Sequence, residues 1–213
     1  MRGAVQTGLE QIQVLDVPDP VGGEGMAIVK VRAAGICGSD LHILKGDVPT
    51  CAPGRVLGHE GVGVVEEVGE SVSQFKPGDR VLISCITSCG KCDYCKKGMY
   101  SHCASGGWIL GHKIDGTQAE YVRIPHADTS LYHIPPQPKV DLHLERLWSH
   151  NITLRTRLVD TVSTPMLLRT VQTGKIDPHR LITHYFKMAE ILSAYDTFSK
   201  AADNQALKVI IDA

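Results

Sequence analysis

Aromatic side chains are scarce in this chain of 213 residues, which has two tryptophans and three phenylalanines. A core made from it must rest on Val, Ile, Leu and Ala, and its 21 glycines point to short strands and tight turns. An excess of charge of either sign is also missing. The 22 basic and 23 acidic residues leave a formal net charge of −1, which excludes a nucleic-acid or anionic-membrane role driven by bulk electrostatics. No apolar run approaches the roughly 20 residues that a membrane span requires. The stretch MRGAVQTGLEQIQVLDVPDP lacks the apolar core of a signal peptide and reads as strand, so a cytoplasmic location is expected. Also absent is a glycine-rich unit running from strand through turn to helix. Gly61-x-Gly63 has no third glycine and stands within a β run, so no dinucleotide site is expected from it. There is no internal repeat and no low-complexity segment.

What is present is β-rich. AIVKVRAAGIC (27–37), GVGVVEEVG (61–69), DRVLIS (79–84) and AEYVRIP (119–125) are strand-like runs bounded by Gly, Pro and Asp. Short strands with this punctuation predict an antiparallel barrel or sandwich. Residues 88–107 show the periodicity of no regular element and need something else to order them. A Pro-rich stretch, HIPPQPKVD (133–141), reads as a junction, and NITLRTRLV (151–159) as a strand. A helix follows, with Thr164 as its cap, Pro165 at the first helical position and Gly174 to end it. A second helix is expected over roughly 188–201, with Met188, Ile191, Leu192, Tyr195 and Phe198 at helical spacing, and LKVIID (207–212) as a closing strand.

Seven cysteines would suit disulfides, but four are crowded at metal-ligand spacing and the total is odd. Cys89, Cys92, Cys95 and Cys103 lie in CGKCDYCKKGMYSHC, a C-x2-C-x2-C-x7-C run. Four thiolates fill a zinc tetrahedron and leave no position for substrate, which marks a structural site that pins a loop. Buried free thiols, disulfides and an iron–sulfur cluster are the competing readings. Cys37 and His59, in GICGSDLH and GHEGVG, form a sparser pair suited to an open site. Taken alone, each is as well explained by core packing. His112, His126, His133, His143, His150, His179 and His184 fall at no ligand spacing, and Cys51 reads as a small buried or loop residue.

GHEGVGVVEEVGESV, with Gly58-His59-Glu60, Gly63, Gly69 and Val72, resembles the signature of the zinc-containing medium-chain alcohol dehydrogenases. AAGICGSDLH is similar to their first-ligand segment, CGKCDYCKKGMYSHC to their structural zinc lobe and GTQAEYVRIP to their barrel-closing strand. Residues 1–136 thus resemble the N-terminal part of that family's catalytic domain. HLERLW, TRLVDTVSTPMLL and GKIDPHRLITHYF resemble its C-terminal portion. Between Pro136 and Val140 the family carries a Rossmann domain, a block of roughly 100–150 residues by ordinary domain size, and here that block is missing.

The resemblance implies a mainly β fold with a few helices. It predicts a GroES-like, partly open β-barrel over 1–136 with a zinc lobe at 88–104. It makes 137–159 a junction and remnant outer strand of the lost coenzyme domain, and 160–213 the C-terminal part of the catalytic domain. It implies a structural zinc at Cys89, Cys92, Cys95 and Cys103, and a catalytic zinc on Cys37 and His59 with Glu60 beside it. The latter site is incomplete, because the family's third ligand lies just beyond the point where this chain jumps to QPKV. Asp40 would orient His59, Ser39 would hydrogen-bond the alcohol, and His42 would continue a proton path to solvent. Cys85 and Trp108 match pocket-lining positions, or are packing. The implied function is oxidation of a small alcohol to an aldehyde or ketone in the whole enzyme, with little NAD(P)-dependent activity here for want of the NAD(P) domain. No nucleic-acid or membrane partner is implied. A homo-oligomer is expected, a dimer paired through 151–159. The competing readings are a zinc-stabilised barrel scaffold without catalysis and a residual zinc hydrolase or aldehyde-binding protein.

Overall fold

The computed structural model describes residues 1–134 and 163–212. The strands, in chain order, are β1 (Arg2–Gly8), β2 (Gln11–Asp16), β3 (Ala27–Ile36), β4 (Arg55–Val56), β5 (Gly61–Val68), β6 (Arg80–Ile83), β7 (Tyr121–Ile124), β8 (Leu131–His133), β9 (His184–Lys187) and β10 (Val209–Asp212). The helices are α1 (Gly38–Leu44), α2 (Asp93–Lys96), α3 (Ala127–Ser130), α4 (Thr164–Gln172) and α5 (Ile191–Ser199). The β-rich runs of the sequence all become strands, and the fold is mainly β with few helices.

Two sheets form, a three-stranded one in the order β2-β1-β4 and a larger one in the order β8-β6-β5-β3-β10-β9, with β7 also on β3. Neither closes on itself, so the barrel is partly open. β3 is the hub. It is rich in Val, Ile and Ala and buried along most of its length, as suits a strand paired on both edges. β5 runs antiparallel along one edge, and its register slips between Ile28 and Val29 and between Val31 and Ala33. Such bulges bend a sheet as a barrel requires. The other edge is shared: β7 pairs with Ala27–Lys30 and β10 with Ala33–Ile36.

That sharing brings the C-terminal segment to the end of β3, next to Cys37. Met188, Ile191, Ala194, Tyr195, Val209 and Ile211 enter one buried cluster with Ala4, Ile36, Ile43 and Leu57. Each such aliphatic side chain contributes on the order of 1.5–3 kcal/mol by burial. The C-terminal residues therefore complete the barrel's core.

Helix ends differ slightly from the sequence expectation. Ser163, not Thr164, is the residue before the first turn of α4, without a side-chain capping bond. Thr164 falls inside because Pro165 tolerates the second helical position as well as the first. Gly174 does stop the helix, in the left-handed region at φ 63°, donating its N–H to the Val171 carbonyl. The second helix begins with a 3-10 turn, Met188–Glu190, before α5. The strand expected at 151–159, and with it the dimer contact, lies outside the described residues. Among the described residues no helix is long and apolar enough to cross a membrane.

One polar clamp ties the loop between β5 and β6 to α3. The Asp128 carboxylate accepts from the Ser73 hydroxyl at 2.7 Å, the Ser73 N–H at 3.0 Å and the Gln74 N–H at 3.0 Å. Burial opposes its ionisation, but these donors outweigh it and hold the carboxyl below its ordinary value. The stabilisation is present above the unfolded carboxyl's pKa and is lost as pH falls through the folded one. Asp128→Ala is expected to cost about 1–2 kcal/mol at pH 7, reduced by solvent screening of this exposed group. In urea unfolding the gap to wild type should close below about pH 4. A gap that stays constant with pH would show that the carboxylate's charge is irrelevant.

Candidate functional site

Two groups of donors could hold a metal ion among the described residues: Cys89, Cys92, Cys95 and Cys103, and Cys37, His59 and Glu60. In each group the ligand atoms lie within 4.8 Å of one another.

The four-cysteine group organises a loop with little regular structure. Its base is closed by a bridge in which Thr87 and Gly107 exchange N–H to carbonyl bonds at 3.0 and 2.7 Å. Within it, α2 is a single turn capped by Cys92. All four thiols are free, which sets aside the disulfide reading. A zinc tetrahedron with bonds of about 2.3 Å separates its sulfurs by roughly 3.8 Å, and the Cys89 and Cys95 sulfurs are 4.0 Å apart. Backbone N–H groups point at the sulfurs: Cys89 at Cys103 (3.2 Å), Cys92 at Cys89 (3.4 Å) and Cys95 at Cys92 (3.5 Å). Donors aimed at sulfur favour thiolate. The Lys91 N–H leads in drawing Cys89 down to about 6, and the Ala104 N–H leads in lowering Cys92. Burial, with neighbouring thiols, pushes Cys95 up to about 12. The donor set fits a structural metal.

The second group stands where the end of β3 meets the start of β5. Cys37 follows β3 and caps α1, and His59 and Glu60 precede β5. Gly58 makes the turn into His59 at φ 95°, and a Cβ there would sit 2.6 Å from Gln118 Cγ, so only glycine suits the position. Asp40, wholly buried, accepts the Cys37 N–H on Oδ2 at 2.8 Å. Its Oδ1 faces His59 Nδ1 at 3.5 Å, and neither atom has a closer partner. An ionised Asp40 keeps the ring proton on Nδ1 and leaves the other nitrogen free to ligate.

Burial opposes protonation of His59, yet hydrogen bonds to Asp40 and Cys37, and their charges, carry it to about 10. The contact with His59 also lowers the Cys37 thiol, against burial. The Cys37 thiol and the His59 imidazole thus lie side by side, and to ligate a metal the pair must present a thiolate and a neutral imidazole. Glu60 is less available, because its Oε2 forms an ion pair with Lys208 Nζ, just before β10.

The remaining sequence-predicted residues gather around this group. Ser39 Oγ lies 3.7 Å from Cys37 Sγ. His42 is at the surface, its Nδ1 2.8 Å from Asp47 Oδ2. Extending the β5–β6 register from Gly61↔Ile83 by two residues puts Cys85 across from His59. Burial first, and then the Glu60 charge, push the Cys85 thiol up to about 11. Trp108 sets its ring edge-on to His59, with centroids 6.1 Å apart.

Several contributors have no ligand spacing or motif to mark them in the sequence. His112 is buried between Thr50 Oγ1 at 2.6 Å and the Trp108 carbonyl at 3.0 Å, and so holds Trp108 in place. Lys208, Gln118 and Tyr195 reach the site from distant parts of the chain. The pairing of apolar residues around Lys208 in LKVIID marks it as a strand entry and nothing more.

The profile of the alcohol dehydrogenase GroES-like domain matches residues 23–136. An uncharacterized zinc-type alcohol dehydrogenase-like protein of Bacillus subtilis is 38% identical over 147 residues, covering 63% of this chain and 39% of that protein. A sorbitol dehydrogenase of Halalkalibacterium halodurans is 40% identical over 138 residues, covering 63% of this chain and 39% of that one. The chain therefore spans well under two thirds of the length of the curated relatives it matches. Among solved structures, the apo form of zinc dependent alcohol dehydrogenase 2 from Streptococcus pneumonia superposes with a TM-score of 0.86 at 34% identity, covering 100% of this chain and 98% of that chain.

Proposed function

Since the chain belongs to the alcohol dehydrogenase GroES-like domain family, we propose that it is the zinc-binding catalytic domain of an alcohol dehydrogenase without its NAD(P)-binding domain. The observation that carries this reading is the coexistence on one barrel of a closed four-thiolate group and an open Cys37–His59–Glu60 group. The first is a structural zinc site and the second a catalytic one. The domain boundaries follow the sequence reading: the barrel over 1–136, a junction over 137–159 and the C-terminal part over 160–213. What supports the deletion is the sequence: no glycine-rich unit from strand through turn to helix is present, and the family resemblance that pauses at Pro136 resumes at HLERLW just beyond QPKV.

When bound at Cys37 and His59, zinc supplies Lewis-acid polarisation of an alcohol or carbonyl oxygen. The chain's own residues do the rest. Asp40 fixes the His59 tautomer, Ser39 offers a hydroxyl to the substrate oxygen, and His42, exposed beside Asp47, hands the proton to solvent. Trp108 and Cys85 border the substrate. The substrates are small alcohols and their aldehydes or ketones. Seven free cysteines suit a reducing, cytoplasmic setting. A homo-oligomer is part of the proposal, with 151–159 as its contact because Ile152, Leu154, Leu158 and Val159 keep that segment apolar.

Full NAD(P) has no domain to hold its pyrophosphate, so positioning worth several orders of magnitude in rate is lost. The test is zinc analysis coupled to an alcohol-oxidation assay with NAD(P) and with a nicotinamide mononucleotide. Two zincs per chain, negligible turnover with NAD(P) and measurable turnover with the truncated cofactor are expected. One zinc per chain after loading would leave only the scaffold reading.

A further inference from the structure

A buried chain of polar groups runs from helix α5 to the open donor group. Tyr195 donates its hydroxyl to Gln118 Oε1 at 2.8 Å. Gln118 Nε2 in turn faces Asp40 Oδ2 and the Gly35 carbonyl, each at 3.4 Å. Asp40 then faces His59. Gln118 and Asp40 are fully buried and Tyr195 is 5% exposed, so water competes with none of these contacts and each unmet group would be costly.

The order of donors along this chain is fixed by chemistry. Were the Gln118 amide turned over, its oxygen would face a carboxylate and a carbonyl, three acceptors together. The amide must therefore present its NH2 to Asp40, which leaves Oε1 in need of a donor. Tyr195 is that donor. Burial, followed by the Asp40 charge, keeps its phenol protonated. We propose that Tyr195 and Gln118 are positioning residues for the Cys37–His59 site, aligning Asp40 so that His59 is held in its ligating tautomer. The C-terminal segment thereby contributes to a metal centre whose donors all lie more than a hundred residues earlier in the chain.

The inference rests on reading Cys37 and His59 as metal ligands, and the experiment separates the two. Protein loaded with Co(II) at both sites would be titrated with chelator while the visible spectrum of each site is followed. The variants are Tyr195→Phe, which removes only the hydroxyl, and Gln118→Met, which keeps length and volume. Ile191→Val, also on α5, reports on loss of packing alone. Tyr195→Phe and Gln118→Met are expected to weaken Co(II) at Cys37–His59 by about tenfold and shift its ligand-field bands, with the four-thiolate spectrum unchanged. Ile191→Val should leave both spectra as in wild type. If wild type takes up two cobalt ions and both polar-chain variants match it, this inference is wrong and the metal site stands. If wild type takes up cobalt only in the lobe, the metal-site reading itself fails and this inference fails with it.

Discussion

Cys95→Ser is expected to strip zinc from the lobe and to disorder residues 88–104 while the barrel stays folded. Cys95 is buried, and its sulfur lies beside that of Cys89, so no solvent molecule can easily take its place. A serine oxygen is a shorter, harder ligand that stays protonated at neutral pH, and zinc in such a site prefers thiolate. Little else orders the lobe: α2 is one turn, Tyr100–His102 another, and Cys95 and Cys103 are its buried side chains in the core. In zinc-finger peptides, metal binding supplies about 10–16 kcal/mol that is at the same time folding energy. Losing one thiolate of four removes a large share of the corresponding term here. The bridge between Thr87 and Gly107 and the bond from Ser88 N–H to Ser130 Oγ hold the base of the loop, which confines the damage. Metal analysis should show one zinc fewer per chain, and limited proteolysis should cut at Lys91, Lys96 or Lys97 with the β signal in circular dichroism preserved. Unchanged zinc content in this variant would reject the assignment.

The lobe could be read from the sequence because its information is local. Four cysteines within 15 positions, in a stretch with no helical or strand period, leave little besides a metal to order it, and the structure brings their sulfurs together. The strands were legible for the same reason, since runs such as AIVKVRAAGI carry their own β propensity and turn boundaries. What was not legible is what distant segments do for one another. Nothing near Gln118 in GTQAEYVRIP says that its amide will lie between Asp40 and Tyr195, and nothing in LKVIID says that Lys208 will pair with Glu60. Those contacts exist because the second edge of β3 is divided between β7 and β10, a topological fact without a local signature. The amphipathic reading of α5 was only partly right for a related reason. Ile191 and Tyr195 are buried as expected, but Leu192 is 59% exposed, because the face the barrel covers is narrower than the apolar stripe.

Zinc at Cys37 and His59 should leave before zinc in the lobe when the loaded protein is challenged with a mild chelator. The lobe offers four thiolates, whereas the second site offers one thiolate and one imidazole, with the third candidate ligand, Glu60, engaged by Lys208. More of the metal's shell is then left to solvent, and a chelator can enter stepwise without first displacing a protein ligand. Proton competition adds to this. In the metal-free protein His59 holds its proton up to about 10, so zinc binding must expel that proton across the neutral range. Each proton that zinc must displace from the pair makes its affinity fall by up to about tenfold for each unit of pH lost. The stabilisation of the metal-free pair runs the other way: it is fully present below the ordinary imidazole pKa and is lost as pH rises through about 10. Acid therefore favours the protonated, metal-free pair and alkali favours the metal. Release followed with a zinc-sensitive dye should show two phases of one zinc each, the fast phase accelerating as pH is lowered from 8 towards 6. Cys95→Ser should abolish only the slow phase. If both metals leave together at one rate, the second site has a full set of protein ligands, and the shortage argued from Cys37, His59 and the Lys208-bound Glu60 is wrong.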